Sequence, residues 1–206
     1  MKDEFPFPVA RIGIIGGGQL GRMMVKAAKR LGCTCVVLDP TPGSPAGQVA
    51  GHQIVGDYHG PAKLRELTES SHLTTFDIED IDTGTFLQLE QEGHSIHPSP
   101  ALLATVQDKL LQKKLLEGAG IAVADYVETP NPNPESFAEF GYPLVQKARR
   151  GGYDGRGVAV MQEPEEFSRH LPVPSFVEGF IVAEKEIAVL VARGKDGESR
   201  CYPVVE

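Results

Sequence analysis

Residues 11–16, Arg-Ile-Gly-Ile-Ile-Gly, form a short β-branched apolar run that ends in glycine, and the apolar positions after it, Leu20, Met23, Met24, Ala27, Ala28 and Leu31, recur at helical spacing. Gly32 stops that helix, and residues 33–38 read as a second buried strand. Asp39-Pro40, followed by Pro42, Gly43, Pro45 and Gly47, makes a loop. Strand, helix and strand in this order predict a βαβ unit. The alternation continues with a short strand at 53–55, a helix entered through Gly60-Pro61, a strand at 73–78 and a helix from Thr83 to Glu92 closed by Gly93. Residues 1–98 are therefore expected to form one open, mostly parallel α/β sheet.

The pattern changes at His97-Pro98-Ser99-Pro100, where Ser99 suits a helix cap and Pro100 a first helical position. One helix is expected over 101–117, then a strand at 121–127, and then Thr129-Pro130-Asn131-Pro132-Asn133-Pro134, a stiff connector unable to enter a ladder. A helix at 135–140, a strand at 144–148, a glycine-rich turn at 151–157 and a return strand at 158–161 make residues 99–206 an α+β region with antiparallel hairpins. Further strands are expected at 175–178, 187–192 and 200–205, the last two joined through Gly194-Lys195-Asp196-Gly197.

Composition narrows the function classes. With 41% hydrophobic and 23% charged residues the 206-residue chain is globular in character, and its net charge of −8 supplies no cationic field for nucleic acid or an anionic membrane. No apolar run approaches the roughly 18 residues of a membrane span, and residues 1–9 carry Asp3, Glu4 and two prolines, so neither anchor nor export signal is expected. Cys33, Cys35 and Cys201 lack metal-ligand spacing and read as strand thiols of a reducing, cytoplasmic compartment. The six histidines show no metal-binding pair, and no metal site is assigned within the chain.

Candidate chemistry concentrates in four places. Gly16-Gly17-Gly18-Gln19-Leu20-Gly21 matches the glycine fingerprint of phosphate-binding turns, where backbone N–H groups and about half a positive charge at the helix start favour an anion. Asp39, at the end of the second strand, would suit a ribose hydroxyl. Taken alone this pair supports a nicotinamide-dependent enzyme, and equally a tight turn that needs small residues. Arg149-Arg150-Gly151-Gly152-Tyr153-Asp154-Gly155-Arg156-Gly157 holds more glycines than a hairpin requires. It suggests a flap whose N–H groups fold over phosphates, with Lys147 supplying charge from the entering strand; a solvated basic hairpin is the alternative. Asp108-Lys109 opens a helix that also carries Lys113 and Lys114, both suited to a solvated face. An apolar strand ending at Glu178, with Glu184 and Glu186 beyond it, can present its backbone and a carboxylate to a flat heterocycle. Asp77, Glu79 and Asp80 lie at the carboxyl end of a buried strand, where open α/β sheets place ligands.

Taken together, Gly-Gly-Gly-Gln-Leu-Gly-Arg-Met at 16–23, Gln107-Asp108-Lys109, Lys147, Gly-Gly-Tyr-Asp-Gly-Arg-Gly at 151–157 and Glu178-Gly-Phe-Ile resemble the N5-carboxyaminoimidazole ribonucleotide synthetase family of the ATP-grasp superfamily. The resemblance implies a Rossmann-like pre-ATP-grasp domain at 1–98. An incomplete ATP-grasp domain would follow at 99–206, comprising linker helices, a small subdomain and the start of the large one. It implies ATP- and bicarbonate-dependent carboxylation of 5-aminoimidazole ribonucleotide through carboxyphosphate. By the family pattern Lys109 and Lys147 hold ATP phosphates under a flap of Gly152, Tyr153, Asp154, Gly155, Arg156 and Gly157. Glu178, Gly179, Phe180 and Ile181 read adenine, and Glu186 the ribose. Tyr153, Asp154 and Arg156 face the carboxylating centre, and Gly18, Gln19 and Leu20, with Asp77 or Glu79, bound the nucleotide substrate. Magnesium ligands are expected beyond Glu206, so the chain is expected to be the amino-terminal portion of a homodimeric enzyme and inactive alone. Another ATP-grasp ligase, such as a formate-dependent transformylase, and an NAD-dependent oxidoreductase are the alternatives, with a nucleotide-sensing module as the non-enzymatic one.

Overall fold

The structure, a computed structural model, describes residues 10–152, 156–194 and 196–206. β1 (Arg11–Ile15), β2 (Thr34–Asp39), β3 (Gln53–Val55) and β4 (Leu73–Phe76) form a parallel sheet in the order β3-β2-β1-β4. The chain thus steps outward from β1 to β2 and β3, then crosses back to place β4 on the other side of β1. Ligands of open α/β sheets bind at such a reversal, beyond the carboxyl ends of the strands. Here that point lies between Gly16 and Asp77.

Alternate residues of β1 and β2 enter opposite layers, as the pleat requires. Ile15, Val36, Leu38 and Ile54 pack with Leu64 and Leu67 of α3 (Pro61–Glu69) and Phe86 and Leu89 of α4 (Thr83–Gln91). Ile14, Cys35 and Val37 pack on the other face with Val25 and Ala28 of α1 (Gln19–Arg30) and Ala50 of α2 (Gly47–Ala50). Burial on both faces explains why these strands are continuously apolar. Cys33 falls just before β2, while Cys35 and Cys201 lie on strands.

The helix expected over 101–117 is two helices, α5 (Pro100–Val106) and α6 (Lys109–Gly118). Ser99 caps the first by accepting from the N–H of Leu102, with Pro100 at its start. Asp108 begins the second, its carboxylate accepting from the N–H groups of Leu110 and Leu111. A capped start in mid-pattern forces the break, because the capping residue must leave helical geometry.

The chain divides into two compact units, one of Met1–Val123 with Lys147–Val158, the other of Ala124–Gln146 with Ala159–Glu206. The first sheet closes with β4 and the isolated bridge from Thr74 to Ile96, and by compactness α5 and α6 group with that sheet.

In the second sheet the order is β5 (Tyr126–Thr129), β8 (Ser175–Gly179), β6 (Leu144–Ala148) and β7 (Val158–Met161), with β5 and β8 antiparallel. β5 starts later than the expected 121–127, leaving Ile121 exposed, and it includes Thr129. A buried polar cluster fixes that register. The Thr129 and Ser175 hydroxyls lie 3.0 Å apart, and the Gln146 amide donates to Ser175 Oγ at 2.8 Å. Phe137 of α7 (Pro134–Phe140) packs with Leu144, Met161 and Val177, and meets Phe167 of an unforeseen 3-10 turn (Pro164–Arg169) edge-on. β9 (Val191–Arg193) and β10 (Ser199–Cys201) are shorter than the strands expected at 187–192 and 200–205, with an isolated bridge between Ala188 and Val205.

Candidate functional site

The turn from β1 into α1 is braced by two carboxylates. Asp39, at the end of β2, accepts from the N–H of Gly17 at 2.7 Å, the N–H of Thr41 at 2.8 Å and the Tyr58 hydroxyl at 2.6 Å. Asp77, just past β4, accepts from the N–H of Gly21 at 2.6 Å. These contacts account for three of the glycines. A Cβ would fall 1.5 Å from Asp77 Oδ1 at Gly16, 2.3 Å from Ser44 Oγ at Gly17 and 2.2 Å from the Gly16 carbonyl oxygen at Gly21. Gly18 differs: among the described residues a Cβ there would meet nothing within 4 Å. Asp39 therefore holds the turn, and the role as a ribose acceptor that a nicotinamide enzyme would give it is not what its contacts provide.

Burial pushes the Asp77 carboxyl up from its ordinary value of 3.8, opposed by the Gly21 N–H and reinforced by the charge of Asp39. Burial and the hydrogen bond to Asp39 likewise push the Tyr58 hydroxyl up. A raised acid in the folded state binds protons that the unfolded chain releases. The stability Asp77 contributes is thus complete below pH 3.8 and declines as pH rises through its folded value. The stability of Asp77→Asn minus that of the unaltered chain should accordingly grow as pH rises above 3.8, as urea unfolding at each pH would measure. A flat difference would refute the assignment.

A cavity of about 630 Å³ within the first unit is lined on one side by Glu79, Asp80 and Asp82 and on the other by Lys109, Arg150, Gly151 and Gly152. Gln107 fastens its acidic wall, the amide donating to the carbonyls of Glu79 at 2.7 Å and Ile81 at 2.8 Å. Asp108 fastens the basic wall. Its carboxylate receives Arg149 Nε at 3.1–3.2 Å and Nη2 at 2.7 Å, with Arg150 Nε 3.7 Å away. The N–H of Lys109 donates to the Arg149 carbonyl at 2.8 Å, and its ammonium reaches the carbonyls of Gly151 at 2.7 Å and Gly152 at 3.4 Å. A lysine so placed holds the mouth of the glycine-rich turn and carries its charge to the cavity wall.

Of the residues singled out from the sequence, Glu79, Asp80, Lys109 and Gly152 meet at this cavity, together with Gln107, Arg150 and Gly151 of the same motifs. Gly18, Gln19 and Leu20 are exposed at the start of α1, whereas Asp77 is turned onto Gly16 and Gly21. Lys147 lies half-buried on β6, and Arg156 and Gly157 precede β7, the Gly157 carbonyl accepting from Ala148 at 2.9 Å. Tyr153, Asp154 and Gly155 lie outside the described residues. In the second unit Glu178 is buried on β8, the N–H of Gly179 bonds the Asp125 carbonyl and that of Phe180 the Pro143 carbonyl; Ile181 and Glu186 are exposed. The roles of Gln107 and Arg149 went unread in the sequence. Asp108 carried a legible signal, an acid directly before an apolar helical start.

Comparison with known proteins places this geometry. The ribonucleotide synthetase preATP-grasp domain model matches residues 9–107, and the ATP-grasp domain model residues 114–206. The N5-carboxyaminoimidazole ribonucleotide synthase of Bacillus subtilis is 35% identical over 100% of this chain and 56% of its own length. The crystal structure of N5-carboxyaminoimidazole ribonucleotide synthetase from Thermotoga maritima has a TM-score of 0.88 at 45% identity, covering 95% of this chain and 53% of that one. That of N5-carboxyaminoimidazole synthase from Aspergillus clavatus, in complex with ADP and 5-aminoimidazole ribonucleotide, has a TM-score of 0.86 at 30% identity, with 95% and 53% covered. A pre-ATP-grasp sheet running on into an ATP-grasp domain is the class of protein that fold and matches define. Within that class, the chain belongs to the N5-carboxyaminoimidazole ribonucleotide synthetase family. It spans between 36% and 57% of the length of the curated relatives it matches.

Proposed function

We propose that the chain supplies the nucleotide-binding turn and part of the substrate wall for ATP-dependent carboxylation of 5-aminoimidazole ribonucleotide in purine biosynthesis. The observation that carries this reading is the cavity with Glu79 on one wall and Lys109, fixed to the glycine-rich turn, on the other. Bicarbonate attacks the terminal phosphorus of ATP, the bond to ADP breaks, and carboxyphosphate forms. The exocyclic amine of the ribonucleotide then takes up the carboxyl carbon, phosphate leaves and the amine proton is lost. Lys109 and Lys147 counter the phosphate charge, and the flap from Gly152 to Gly157 covers it, excluding the water that would hydrolyse carboxyphosphate. Glu178, Gly179, Phe180 and Ile181 receive adenine and Glu186 the ribose, while Tyr153, Asp154 and Arg156 face the carboxyl group in transit. Of Asp77 and Glu79, the geometry favours Glu79 as the substrate contact, since Asp77 is spent on the glycine turn. The resemblance further implies a homodimer working in the cytoplasm.

Magnesium is implied by the family, but among the described residues no group of three His, Cys, Asp or Glu side chains is placed to hold a metal. The nicotinamide alternative is disfavoured because the N–H groups of Gly17 and Gly21 are already bonded to carboxylates.

The test is ADP release by the chain joined to the coding sequence that follows Glu206, with each substrate omitted in turn. Release should require both bicarbonate and the ribonucleotide, and Lys109→Ala should lower it about a hundredfold, the usual scale for losing one preorganised charge-stabilising group. Release indifferent to the ribonucleotide would assign this site to another ATP-grasp ligase.

A further inference from the structure

We propose that Gln107 is the positioning residue of the ribonucleotide wall: its side-chain amide fixes the backbone that carries Glu79, and so sets affinity for the ribonucleotide without setting affinity for ATP. The identity of the ligand rests on the function proposed above; that Gln107 holds Glu79 rests on geometry alone. Glu79 is exposed at the cavity, and among the described residues its carboxylate meets no hydrogen-bond or ion-pair partner. A side chain free at its tip is held in a productive place only through the shell that supports its backbone. On either side of Glu79 that support comes from the first sheet. Asp77 is tied to β1 by its N–H on the Ile15 carbonyl, Ile81 is 2% exposed in the core, and Asp82 caps α4 while its own N–H bonds the Tyr58 carbonyl. Glu79 itself is reached from outside its loop by Gln107.

The Gln107 amide nitrogen donates to the Glu79 carbonyl at 2.7 Å and to the Ile81 carbonyl at 2.8 Å, so both of its N–H groups are used, and its oxygen accepts from the Thr83 hydroxyl at 3.4 Å. Two carbonyls can be bridged only by a donor, which excludes a carboxylate or an apolar side chain from this task. Gln107 stands on a fixed base. Its N–H bonds the Leu103 carbonyl, and the next residue, Asp108, is buried, caps α6 and receives Arg149. Lys109, one residue further, serves the opposite wall through Arg149, Gly151 and Gly152. Loss of the Gln107 amide therefore frees the loop that bears Glu79 and leaves the contacts of Lys109 in place.

The experiment measures kcat and KM for ADP release by the chain joined to the coding sequence that follows Glu206. Gln107→Leu should raise KM for the ribonucleotide about tenfold or more, within the scale of a misplaced contact group, while KM for ATP stays within about twofold. An equal rise in both KM values, or a rise in neither, overturns the proposal. Glu79→Ala removes the carboxylate and keeps the carbonyl, so it separates positioning from general support of the fold. In that background Gln107→Leu should change kcat/KM for the ribonucleotide by no more than about twofold, because a residue that acts through Glu79 has nothing left to position. Losses that multiply instead would show that Gln107 acts independently, and would refute the proposal. Should Gln107→Leu not fold, Gln107→Asn, whose amide falls a methylene short of the carbonyls, takes its place with the same split expected and the same outcomes overturning it. Release by the unaltered protein that ignores the ribonucleotide overturns the proposed function and the ligand named here with it. Release that needs the ribonucleotide, with its KM unmoved by either Gln107 variant, overturns this proposal alone.

Discussion

Gly16→Ala is expected to destabilise the first unit by about 3 kcal/mol or more, the combined scale of a residue forced into a positive-φ conformation and of overpacking in a close-packed site. Gly16 has φ at +105°, where an L side chain is strained, and its Cβ would lie 1.5 Å from Asp77 Oδ1. The carboxylate is poorly placed to yield, because Oδ2 is bonded to the Gly21 N–H and the Asp77 N–H donates to the Ile15 carbonyl at 3.0 Å. Relief must therefore move the backbone between β1 and β4, at the strand-order reversal. For a chain of this size a loss of about 3 kcal/mol lowers the melting temperature by roughly 6–12 °C. Gly18→Ala is the matched control and should stay within about 0.5 kcal/mol, as a surface substitution meeting no neighbour does. Equal melting temperatures for the two variants would show that the acids do not confine the turn.

That contrast also shows where the sequence stopped being informative. The strand, glycine turn and helix at 11–31 were legible because hydrophobic period and chain punctuation are local. The cause of the glycines was not. Local pattern left an approaching phosphate and a tight turn of small residues both open, and it could not name the neighbours: Gly16, Gly17 and Gly21 answer to Asp77, Asp39 and Ser44, residues brought in by β2 and β4 and the loops after them. The break between α5 and α6 was hidden for the opposite reason. Leu102, Leu103, Val106, Leu110 and Leu111 keep the apolar spacing going through Asp108, whose cap contacts decide the geometry. At β5 the apolar Ile121 and Val123 drew the expected strand too early, and the ladder is instead registered by Thr129 against Ser175. Past Glu186 the apolar residues are exposed in this chain, so hydrophobicity there does not report which of them pair. Of the site, the charged residues on the two cavity walls stood out as residue types in suggestive places. The side chains that fasten those walls, Gln107 and Arg149, needed the fold to be seen.

Asp108→Ala should cost about 2–4 kcal/mol and should weaken ATP binding under conditions where the chain is still folded. Asp108 is 3% exposed, caps α6 through two N–H groups and receives the Arg149 guanidinium. Losing an N-cap costs about 1 kcal/mol, and breaking a buried ion pair about 3–5 kcal/mol; the latter is discounted here because the Arg149 side chain is 29% exposed. Burial alone would push the Asp108 carboxyl up, but Arg149 and the N–H groups of Leu111 and Leu110 overcome it and hold the carboxyl below its ordinary 3.8. For a lowered acid the stability is present above the unfolded value and is lost as pH falls through the folded one. The deficit of Asp108→Ala should therefore be full at neutral pH and shrink as the medium is acidified below 3.8. The functional consequence runs through the next residue. Lys109 is placed by its N–H on the Arg149 carbonyl and by its ammonium on Gly151, so a displaced Arg149 releases both. Asp108→Asn preserves the cap oxygen and gives up the charge. If ATP titration finds Asp108→Asn close to the unaltered chain and Asp108→Ala much weaker, the cap positions Lys109; if both are equally weak, the pairing with Arg149 does. Urea unfolding of Asp108→Ala within 1 kcal/mol of the unaltered chain would show that neither contact supports this wall of the cavity.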